Sequence, residues 1–514
     1  MRYHSIWCAI LLSTLLLQVL SVSAASRRSC LRELKKCGLD TKDDTELLNQ
    51  LFAFTGKLKI PAGTYYVDAT KGIRIGSNTR VLCKEEVEFR CIPNNKKSYN
   101  IFLIQESQHV EFNGGKIIGD RNEHTGTGGE HGMGISIMDS KDVSIIGTSI
   151  QDTWGDAIYI GSNSGNKGGC SENIIIQGCE LSNCRRQGVS VVACNGITIK
   201  NCEIFDIGGT APEAGIDFEV NYKEFPSSHL AVEHCSVHDC KGPSIVVGNA
   251  IKDLTVSNCT LDDLMSSRYS KNLYIQNSTI TGLTVGGSDA SVYNCSIQSL
   301  GLMNYGTFTF DKCRFNRLTS SKNSGVNESD LGVTSTFTEC SFASLTENVS
   351  QEGKYAHETL AYFLVLPKSL KFEHCSFELK DAWGLQLSAD QGLSFTNCSF
   401  RYNPSKSASW GSGYGFLHLK SNKGSIIFEG NDVDANQLTQ YTAYGLIRTY
   451  APEVHFNRNN IKTSVKNIGT HVVRANNAIN EVIEMNDNTI QGYTKEGVFR
   501  DGSKAKLLNN KINK

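Results

Sequence analysis

The sequence predicts an all-β solenoid, a fold in which one strand-and-turn unit is repeated along the chain. The first observation is a phrase that recurs from residue 110 to the C-terminus: apolar, polar, apolar, two small or polar residues, and an apolar residue two positions on. The second is that no long stretch shows the apolar spacing of an α-helix. The period, roughly 17 to 35 residues, indicates stacked coils, because such a unit buries its apolar side only against its neighbours.

Cysteine and asparagine occupy the same position of this phrase, two residues before its last apolar residue, as in ITIKNCEI, LSFTNCSF and SIIFEGNDV. Other coils place Gly, Ser or Thr there. We expect these small side chains to stack in one interior column, with Cys acting as a compact apolar residue. The predicted column consists of Gly115, Thr148, Cys179, Cys202, Cys235, Cys259, Ser278, Cys295, Cys313, Cys340, Cys375, Cys398, Asn431, Asn459, Asn488 and Asn510.

Cysteines outside this column are the candidates for disulfide bonds in an exported chain. No Cys or His spacing is typical of zinc, so no metal site is predicted. The candidates are the pairs Cys30/Cys37 and Cys83/Cys91, and also Cys170, Cys184, Cys194 and Cys240, which lie near predicted turns.

The N-terminus predicts export. Residues 1–25 contain one early basic residue, an apolar run and small residues suited to cleavage after Ala24 or Ala25, which is typical of a signal peptide. The run is too short for a membrane span, and no later segment is long enough. We therefore expect a secreted protein, extracellular or periplasmic after cleavage, without a membrane span.

The nearly neutral net charge gives no general electrostatic reason to expect a nucleic-acid partner. Lys plus Arg number 51 and Asp plus Glu number 52, so the opposite charges nearly cancel. Nucleic-acid binding usually requires a marked basic excess. No nucleic-acid partner is predicted.

Residues 26–75 predict an N-terminal cap with the first strands, and residues 76–514 the solenoid. Within the cap, residues 43–54 read DDTELLNQLFAF, whose apolar residues share one helical face behind an Asp/Thr start. A short helix of this kind can cover the open strand edges at the end of a solenoid.

The chain resembles the right-handed parallel β-helix proteins of the pectin-lyase-like superfamily, which include pectate lyases, polygalacturonases and phage tailspike depolymerases. The likeness is carried by DDT and the short helix, by IPAGTYYV and NGGKIIGDR, and by the interior column, over essentially the whole mature chain. It implies a right-handed parallel β-helix with a short N-terminal capping helix. The catalytic phrases of polygalacturonases and pectate lyases are missing, so the resemblance does not determine the activity.

Four strand phrases between residues 130 and 222 can be aligned with one another. They read HGMGISIMD, WGDAIYIGS, RRQGVSVVA and EAGIDFEVN. Their apolar pairs should point inward, so the alternate residues should point outward. The inward pairs are Ile135/Ile137, Ile158/Ile160, Val189/Val191 and Ile216/Phe218, and the predicted outward row is Ser136, Tyr159, Ser190 and Asp217.

Carboxylates on this outward face predict catalysis. Asp217 and Glu219 leave the same strand face roughly 6 to 7 Å apart, and Asp156 lies two coils away. Glycoside hydrolysis needs one protonated carboxyl as acid and one ionised carboxyl as base. Asp156, Asp217 and Glu219 are the predicted catalytic residues. We expect inversion at the sugar, because side chains on a flat sheet leave room for a water between them.

Long loops surround the same face, at residues 120–132, 162–170, 206–214 and 221–229. Loops on a rigid scaffold commonly bind ligands. Two aromatic residues, Trp154 and Tyr159, could stack on a sugar ring. The predicted substrate-binding residues are Arg186, Gln187, Tyr159, Trp154, His124, Glu130, His131, Ser190 and Asn221.

These observations favour a glycoside hydrolase acting on a polysaccharide or oligosaccharide without a cofactor. One alternative is a polysaccharide lyase acting on a uronic-acid polymer. In that case Arg186 would neutralise charge, Tyr159 or His131 would act as base, and Ca2+ could be required. Another alternative is a non-catalytic glycan-binding or adhesin rod.

Overall fold

The computed structural model describes residues 26–39, 42–162, 169–219, 227–266, 270–287, 289–303, 305–321, 332–343, 361–363, 366–379, 385–403, 416–437, 446–463, 473–475, 482–492, 499–500 and 505–513. The chain divides into two compact units. Unit 1 is residues 1–255 with 259–262, and unit 2 is residues 256–258 with 263–514. The signal peptide predicted for residues 1–25 lies outside the described residues. Among the described residues, no helix is long and apolar enough to cross a membrane.

Two helices precede the strands. Residues 26–37 are helical and form α1, which the sequence did not predict, and α2 is Thr45–Phe52, as predicted. Leu48, Leu51 and Phe52 of α2 are buried. Phe52 packs edge-on against Phe102 of the first coils, with ring centres 6.0 Å apart. The apolar face of α2 therefore covers the start of the stack.

Three ladders of parallel strands build unit 1. The first is β1 (Gly56–Lys59), β4 (Thr79–Leu82), β7 (Gln108–Asn113), β10 (Lys141–Ile146), β13 (Ser171–Gln177), β16 (Cys194–Lys200), β19 (Ser228–Glu233) and β22 (Lys252–Ser257). The second is β2 (Gly63–Val67), β5 (Val87–Cys91), β8 (Lys116–Ile118), β11 (Ser149–Gln151), β14 (Glu180–Ser182), β17 (Glu203–Phe205), β20 (Ser236–His238) and β23 (Thr260–Ser266). The third is β3 (Ile73–Arg74), β6 (Ser98–Gln105), β9 (His131–Met138), β12 (Ile158–Gly161), β15 (Val189–Val191), β18 (Ile216–Phe218) and β21 (Ile245–Val247). The boundary between the units falls within β22 and β23.

Unit 2 repeats this plan. Its first ladder is β24 (Lys271–Gln276), β26 (Ala290–Tyr293), β28 (Tyr305–Asp311), β30 (Gly332–Thr338), β33 (Ser369–Glu373), β36 (Gly392–Thr396), β39 (Ser425–Glu429), β42 (Glu453–Asn457), β45 (Val482–Asn486) and β48 (Ala505–Leu508). Its second is β25 (Thr279–Gly286), β27 (Ser296–Met303), β29 (Arg314–Ser321), β31 (Ser341–Ala343), β34 (Ser376–Leu379), β37 (Ser399–Tyr402), β40 (Asp432–Ala435), β43 (Asn460–Thr463), β46 (Thr489–Gln491) and β49 (Lys511–Asn513). Its third is β32 (Ala361–Phe363), β35 (Leu385–Ala389), β38 (Leu417–Ser421), β41 (Ile447–Tyr450), β44 (Val473–Ala475) and β47 (Phe499–Arg500).

Coil length explains how the second and third ladders of unit 2 are joined. The short coils carry single long strands, β25, β27 and β29, in place of two shorter ones. From β29 onward the coils lengthen, and one end of β29 pairs with β31 while the other pairs with β32. All these pairings are parallel, which confirms the predicted parallel β-helix.

The predicted interior column is confirmed where its side chains are described. Cys295, Cys313, Cys340, Cys375 and Cys398 are buried free thiols. Each thiol lies against backbone carbonyls; the Sγ of Cys340, for example, is 3.3 Å from the oxygen of Thr338 and 3.4 Å from that of Phe310. The disulfides considered at Cys30/Cys37 and Cys83/Cys91 do not form, since Cys30, Cys83 and Cys91 are also free thiols.

Asparagine takes over the column toward the C-terminus and adds hydrogen bonds between coils. The Nδ2 of Asn459 donates to the carbonyl of Phe428 at 2.9 Å and to Oδ1 of Asn488 at 3.0 Å. Its Oδ1 accepts from the backbone N–H and the Nδ2 of Asn431. The preceding residue, Arg458, has a left-handed φ of 57°. This conformation recurs before the column and explains why Asn and Gly are common there.

We expect Asn459→Ala to destabilise the protein by about 2–3 kcal/mol, because buried backbone groups lose their partners. Asn459→Cys should cost less, since a thiol can reach the same kind of carbonyl, as Cys398 reaches Phe372 at 3.4 Å. The measurement is the midpoint of unfolding in guanidinium chloride. Asn460→Ala, at the neighbouring half-buried position, is the control. Equal losses for the Ala and Cys variants at 459 would contradict this account of the column.

Candidate functional site

The register of four third-ladder strands in unit 1 is the one predicted. Tyr159 pairs with Ser136 and with Ser190, and Ser190 pairs with Asp217. The flanking apolar residues of β9, β12, β15 and β18 are fully buried. These four coils therefore place their polar residues in one row, and the turn before β15 adds Arg186 and Gln187.

Arg186 is the centre of the charged cluster. Its guanidinium has three nitrogens, and each faces a different carboxylate. Nη1 is 3.0 Å from Oδ2 of Asp156, Nε is 3.4 Å from Oε2 of Glu130, and Nη2 is 3.8 Å from Oε2 of Glu219. Burial disfavours the guanidinium charge, yet Asp156, Glu219, Glu130 and Asp217 together raise the pKa of Arg186. Arg186 is therefore a permanent cation, and it forms the centre of the ion pairs with the surrounding carboxylates.

Asp156 is enclosed. Its side chain is 0 % exposed, and its Oδ2 accepts a hydrogen bond of 2.7 Å from the hydroxyl of Ser190 in addition to the Arg186 contact. Burial raises its pKa to about 6, against the opposing effects of Arg186 and Ser190. This setting suits a residue that orients Arg186. It does not suit the direct contact with a substrate expected of a catalytic carboxylate.

Asp217 and Glu219 form a carboxyl pair. Asp217 is nearly buried and accepts a hydrogen bond from Nε2 of Gln187. Burial first, and then the charge and hydrogen bond of Glu219, raise the pKa of Asp217 to about 7. Because a like-charged neighbour disfavours ionisation, Asp217 holds its proton to near-neutral pH.

Glu219 and Glu130 are the open carboxylates of the cluster. The side chain of Glu219 is 31 % exposed and that of Glu130 is 45 % exposed, whereas Arg186 is 11 % exposed. Glu130 comes from the 120–132 loop just before β9, and Glu219 directly follows β18. The two acids that solvent reaches thus lie against different nitrogens of one guanidinium.

His124 and Trp154 belong to a stacked column instead of lying open to a ligand. Their rings are 4.0 Å apart and nearly parallel, and Tyr99 stacks on the other side of His124 at 6.0 Å. The guanidinium of Arg185 lies 3.9 Å from the Trp154 ring centre. With both groups against its ring, Trp154 has no free face for a sugar, so its predicted stacking role is wrong.

Asp120 anchors this column, and sequence reasoning missed it. Its carboxylate accepts hydrogen bonds from the Tyr99 hydroxyl, from Nδ1 of His124 at 2.9 Å, and from the backbone and side chain of Asn94. The His124 and Asp120 side chains are both 0 % exposed. The spacing Asp120-x-x-x-His124 lies in a polar loop, where a buried pair and two exposed residues have the same sequence pattern. The sequence therefore could not predict that this pair is buried.

Arg185 and Arg121, also missed, hold the loops beside the cluster. Nη1 of Arg185 donates to the carbonyl of Gly129 at 2.8 Å, one residue before Glu130. Nη2 of Arg121 donates to the carbonyl of Gly208 in the 206–214 loop at 2.6 Å. These contacts tie the 120–132 loop to the turn before β15 and to the 206–214 loop, so both loops lie beside the third ladder, as predicted.

Other predicted site residues are placed as follows. Gln187 and Ser190 are fully buried and serve the carboxylates. Tyr159 is half-buried, with its ring over Gly161, where a Cβ would lie 2.6 Å from the ring. His131 is exposed, with Nε2 3.9 Å from Oε1 of Glu130. Asn221 lies outside the described residues.

The three-ladder fold defines the class of protein, a parallel β-helix. In agreement, a family model described as a right-handed β-helix region matches residues 66–219 and 167–280. The chain is also similar to two proteins of Bacillus subtilis (strain 168). The uncharacterized protein YclG is 31 % identical over 256 residues, covering 42 % of this chain and 44 % of YclG. The SPbeta prophage-derived uncharacterized protein YorA is 28 % identical over 260 residues, covering 45 % and 44 %. The chain thus spans less than half the length of these relatives.

Among solved structures, the A-module of the mannuronan C-5 epimerase AlgE6 from Azotobacter vinelandii is similar to this chain with a TM-score of 0.44 and 11 % identity. The match covers 74 % of this chain and 96 % of that module.

The carboxyl pair makes stability depend on pH. Folding raises the pKa of Asp217 from 3.8 to about 7, so the folded protein holds this proton more tightly than the unfolded chain. The resulting stabilisation is complete below the unfolded value and is lost as the pH rises through about 7. We expect Asp217→Asn, which stays neutral, to reduce the fall in melting temperature between about pH 4 and 7.

Asp311→Asn, on β28 of unit 2, is the matched control and should leave the profile unchanged. Asp156, with a pKa of about 6, contributes a fall between about pH 4 and 6 in both variants, so the difference between the variants is clearest between pH 6 and 7. An unaltered profile around pH 7 in Asp217→Asn would show that Asp217 is not the titrating group.

Proposed function

We propose that unit 1 carries the active site of a carbohydrate-active enzyme that hydrolyses glycosidic bonds of a polysaccharide or oligosaccharide. The observation that carries the proposal is the buried carboxyl of Asp217, whose pKa is raised to about 7 beside Glu219, together with two exposed carboxylates, Glu219 and Glu130, that face the same arginine. Glycoside hydrolysis uses one protonated and one ionised carboxyl on either side of the scissile bond. This cluster contains both kinds.

In the proposed reaction, the pair supplies the proton and Glu130 activates water. The proton that Asp217 holds passes through Glu219, the exposed member, to the glycosidic oxygen as its bond to the anomeric carbon breaks, and Arg186 stabilises the charge left on the pair. Glu130 accepts a proton from the water that attacks the anomeric carbon. The roles differ from the sequence prediction, in which Asp156 was catalytic and Glu130 bound the substrate.

Buried residues support these roles. Asp156 and Ser190 hold Arg186 in place, and Gln187 donates to Asp217. Arg185 fixes the backbone next to Glu130 through the carbonyl of Gly129. Because all these partners sit on or beside neighbouring strands of one rigid ladder, the open acids are positioned before a substrate arrives.

A hydrolase fits this cluster better than a lyase. β-Elimination from a uronic acid would need Arg186 to neutralise the substrate carboxylate, and Arg186 already faces three protein carboxylates. We further propose that the protein acts after export, in the extracellular or periplasmic space. The signal-like sequence of residues 1–25 supports this location.

We expect Glu130→Gln and Asp217→Asn each to lower kcat by about 10²–10⁴, the usual contribution of a general acid or base. In the unsubstituted enzyme, kcat should fall as the pH rises through about 7, because the proton on Asp217 is lost. The measurement is release of reducing ends across a panel of polysaccharides.

Glu172→Gln is the matched control, because this half-exposed glutamate lies on the first ladder, where it pairs with Lys141 of the neighbouring strand at 3.1 Å, and its loss should leave kcat unchanged. Binding of a glycan by the unsubstituted protein without turnover would favour the binding rod. Products with the ultraviolet absorbance of unsaturated sugars would favour the lyase.

A further inference from the structure

The stacked column of Tyr99, His124 and Trp154 is held at one edge by a buried hydrogen bond. The ring centres of the three side chains are 6.0 Å and 4.0 Å apart in turn, and Nδ1 of His124 lies 2.9 Å from Oδ2 of Asp120. The Asp120 and His124 side chains are both 0 % exposed. Because the His124 ring is stacked on both faces and hydrogen-bonded at its edge, its orientation is fixed. The column is therefore a rigid element beside the carboxylate cluster.

The 120–132 loop packs its backbone directly on this column. A Cβ at Gly126 would lie 2.8 Å from Nε2 of His124, and a Cβ at Gly132 would lie 2.8 Å from Cβ of Trp154. Contacts this short leave no room for a side chain, so the loop backbone lies against the two side chains with nothing between them. The position of the loop therefore depends on the position of these rings.

Glu130 takes its position from the end of this column. The guanidinium of Arg185 lies 3.9 Å from the Trp154 ring centre, and its Nη1 donates to the carbonyl of Gly129 at 2.8 Å. Glu130 is the next residue, and its Oε2 lies 3.4 Å from Nε of Arg186. Two consecutive arginines thus hold this glutamate, one through the backbone that precedes it and one through its carboxylate.

Arg185 depends on the Trp154 ring because no acid fixes it. In the part of the chain that the structure describes, Arg185 forms no ion pair. Burial and the neighbouring cation Arg121 lower the pKa of Arg185, and the charge of Glu130 opposes this effect. The face of an aromatic ring attracts a cation, so Trp154 supplies the contact that holds the guanidinium. A shift of Trp154 would therefore release Arg185, and with it the backbone before Glu130.

We propose that Asp120 and His124 are positioning residues for Glu130. They hold the column whose far end, Arg185, binds the backbone next to this carboxylate. The inference rests on the proposed function, in which Glu130 activates the attacking water. A general base must lie within hydrogen-bonding distance of that water, and a displacement of about 1 Å caused by a distant substitution can slow a reaction about 100-fold.

The test is a double-mutant cycle between His124 and Glu130 in the full chain, with kcat measured as release of reducing ends. We expect His124→Ala to lower kcat about 100-fold with little change in KM. In the Glu130→Gln background the same substitution should cause no further loss, because the carboxylate that it displaces is already absent. His124→Phe, which keeps a stacked ring, should retain most of the activity.

His109→Ala is the matched control. This exposed histidine also lies close to an aspartate, with Nδ1 3.3 Å from Oδ2 of Asp142, but it belongs to the first ladder, so its loss should leave kcat unchanged. The melting temperature of every variant is measured alongside. If His124→Ala does not fold, Asp120→Asn takes its place in the cycle and should lower kcat about tenfold, as expected for the loss of one charge-assisted contact.

Two outcomes separate this inference from the proposed function. Full activity of His124→Ala, or an equal loss of kcat in both backgrounds of the cycle, would overturn the positioning role and leave the role of Glu130 intact. Full activity of Glu130→Gln, or no turnover of any polysaccharide by the unsubstituted protein, would overturn the proposed role of Glu130 and the positioning role with it.

Discussion

In-register pairing of parallel strands between successive coils is the constraint on which everything else in each unit depends. Ile158 pairs with Ile135 and with Val189. Because side chains alternate along a strand, this pairing determines which side chains of these strands face the interior, which face outward, and which residues of the adjacent coils they contact. The interior column supports this register from inside. Its thiols and amides reach carbonyls of the preceding coil, as Asn459 reaches Phe428, which a coil shifted by one residue would not allow.

The same stacking creates the charged cluster by bringing together residues far apart in the chain. Arg186 meets Glu130, Asp156 and Glu219 because neighbouring coils bring the entrances of β9, β12 and β15 close to the end of β18. Burial of this many charges is tolerable only when they are paired, since an unpaired buried charge costs several kcal/mol. Burial and the charge of Glu219 raise the pKa of Asp217 to about 7, which reduces the negative charge of the cluster and provides the acid that the proposed reaction needs.

Much of this arrangement could be predicted from the sequence, and the reason is periodicity. The repeated phrase determines which residues point inward, so the column and the outward row of Ser136, Tyr159, Ser190 and Asp217 follow from counting. Long loops indicated correctly that the 120–132 and 206–214 segments lie beside this row. The loop contacts themselves could not be predicted, because the stacking of His124 on Trp154 and the bond from Arg185 to Gly129 depend on loop conformations that have no repeat.

The sequence by itself determined the parallel β-helix, the capping helix α2 and the strand face on which the acids lie, because alternation and repeat length are local properties of the chain. Only the tertiary structure decided how those acids differ from one another. Asp156 is enclosed by Arg186 and Ser190, Asp217 is buried with a raised pKa beside Glu219, and Glu130 stays open. Solvent exposure and the distance between charges determine these roles, and both depend on neighbouring side chains from other coils. The sequence pattern predicts the strand face on which each of those side chains lies, but it does not predict the distances between them.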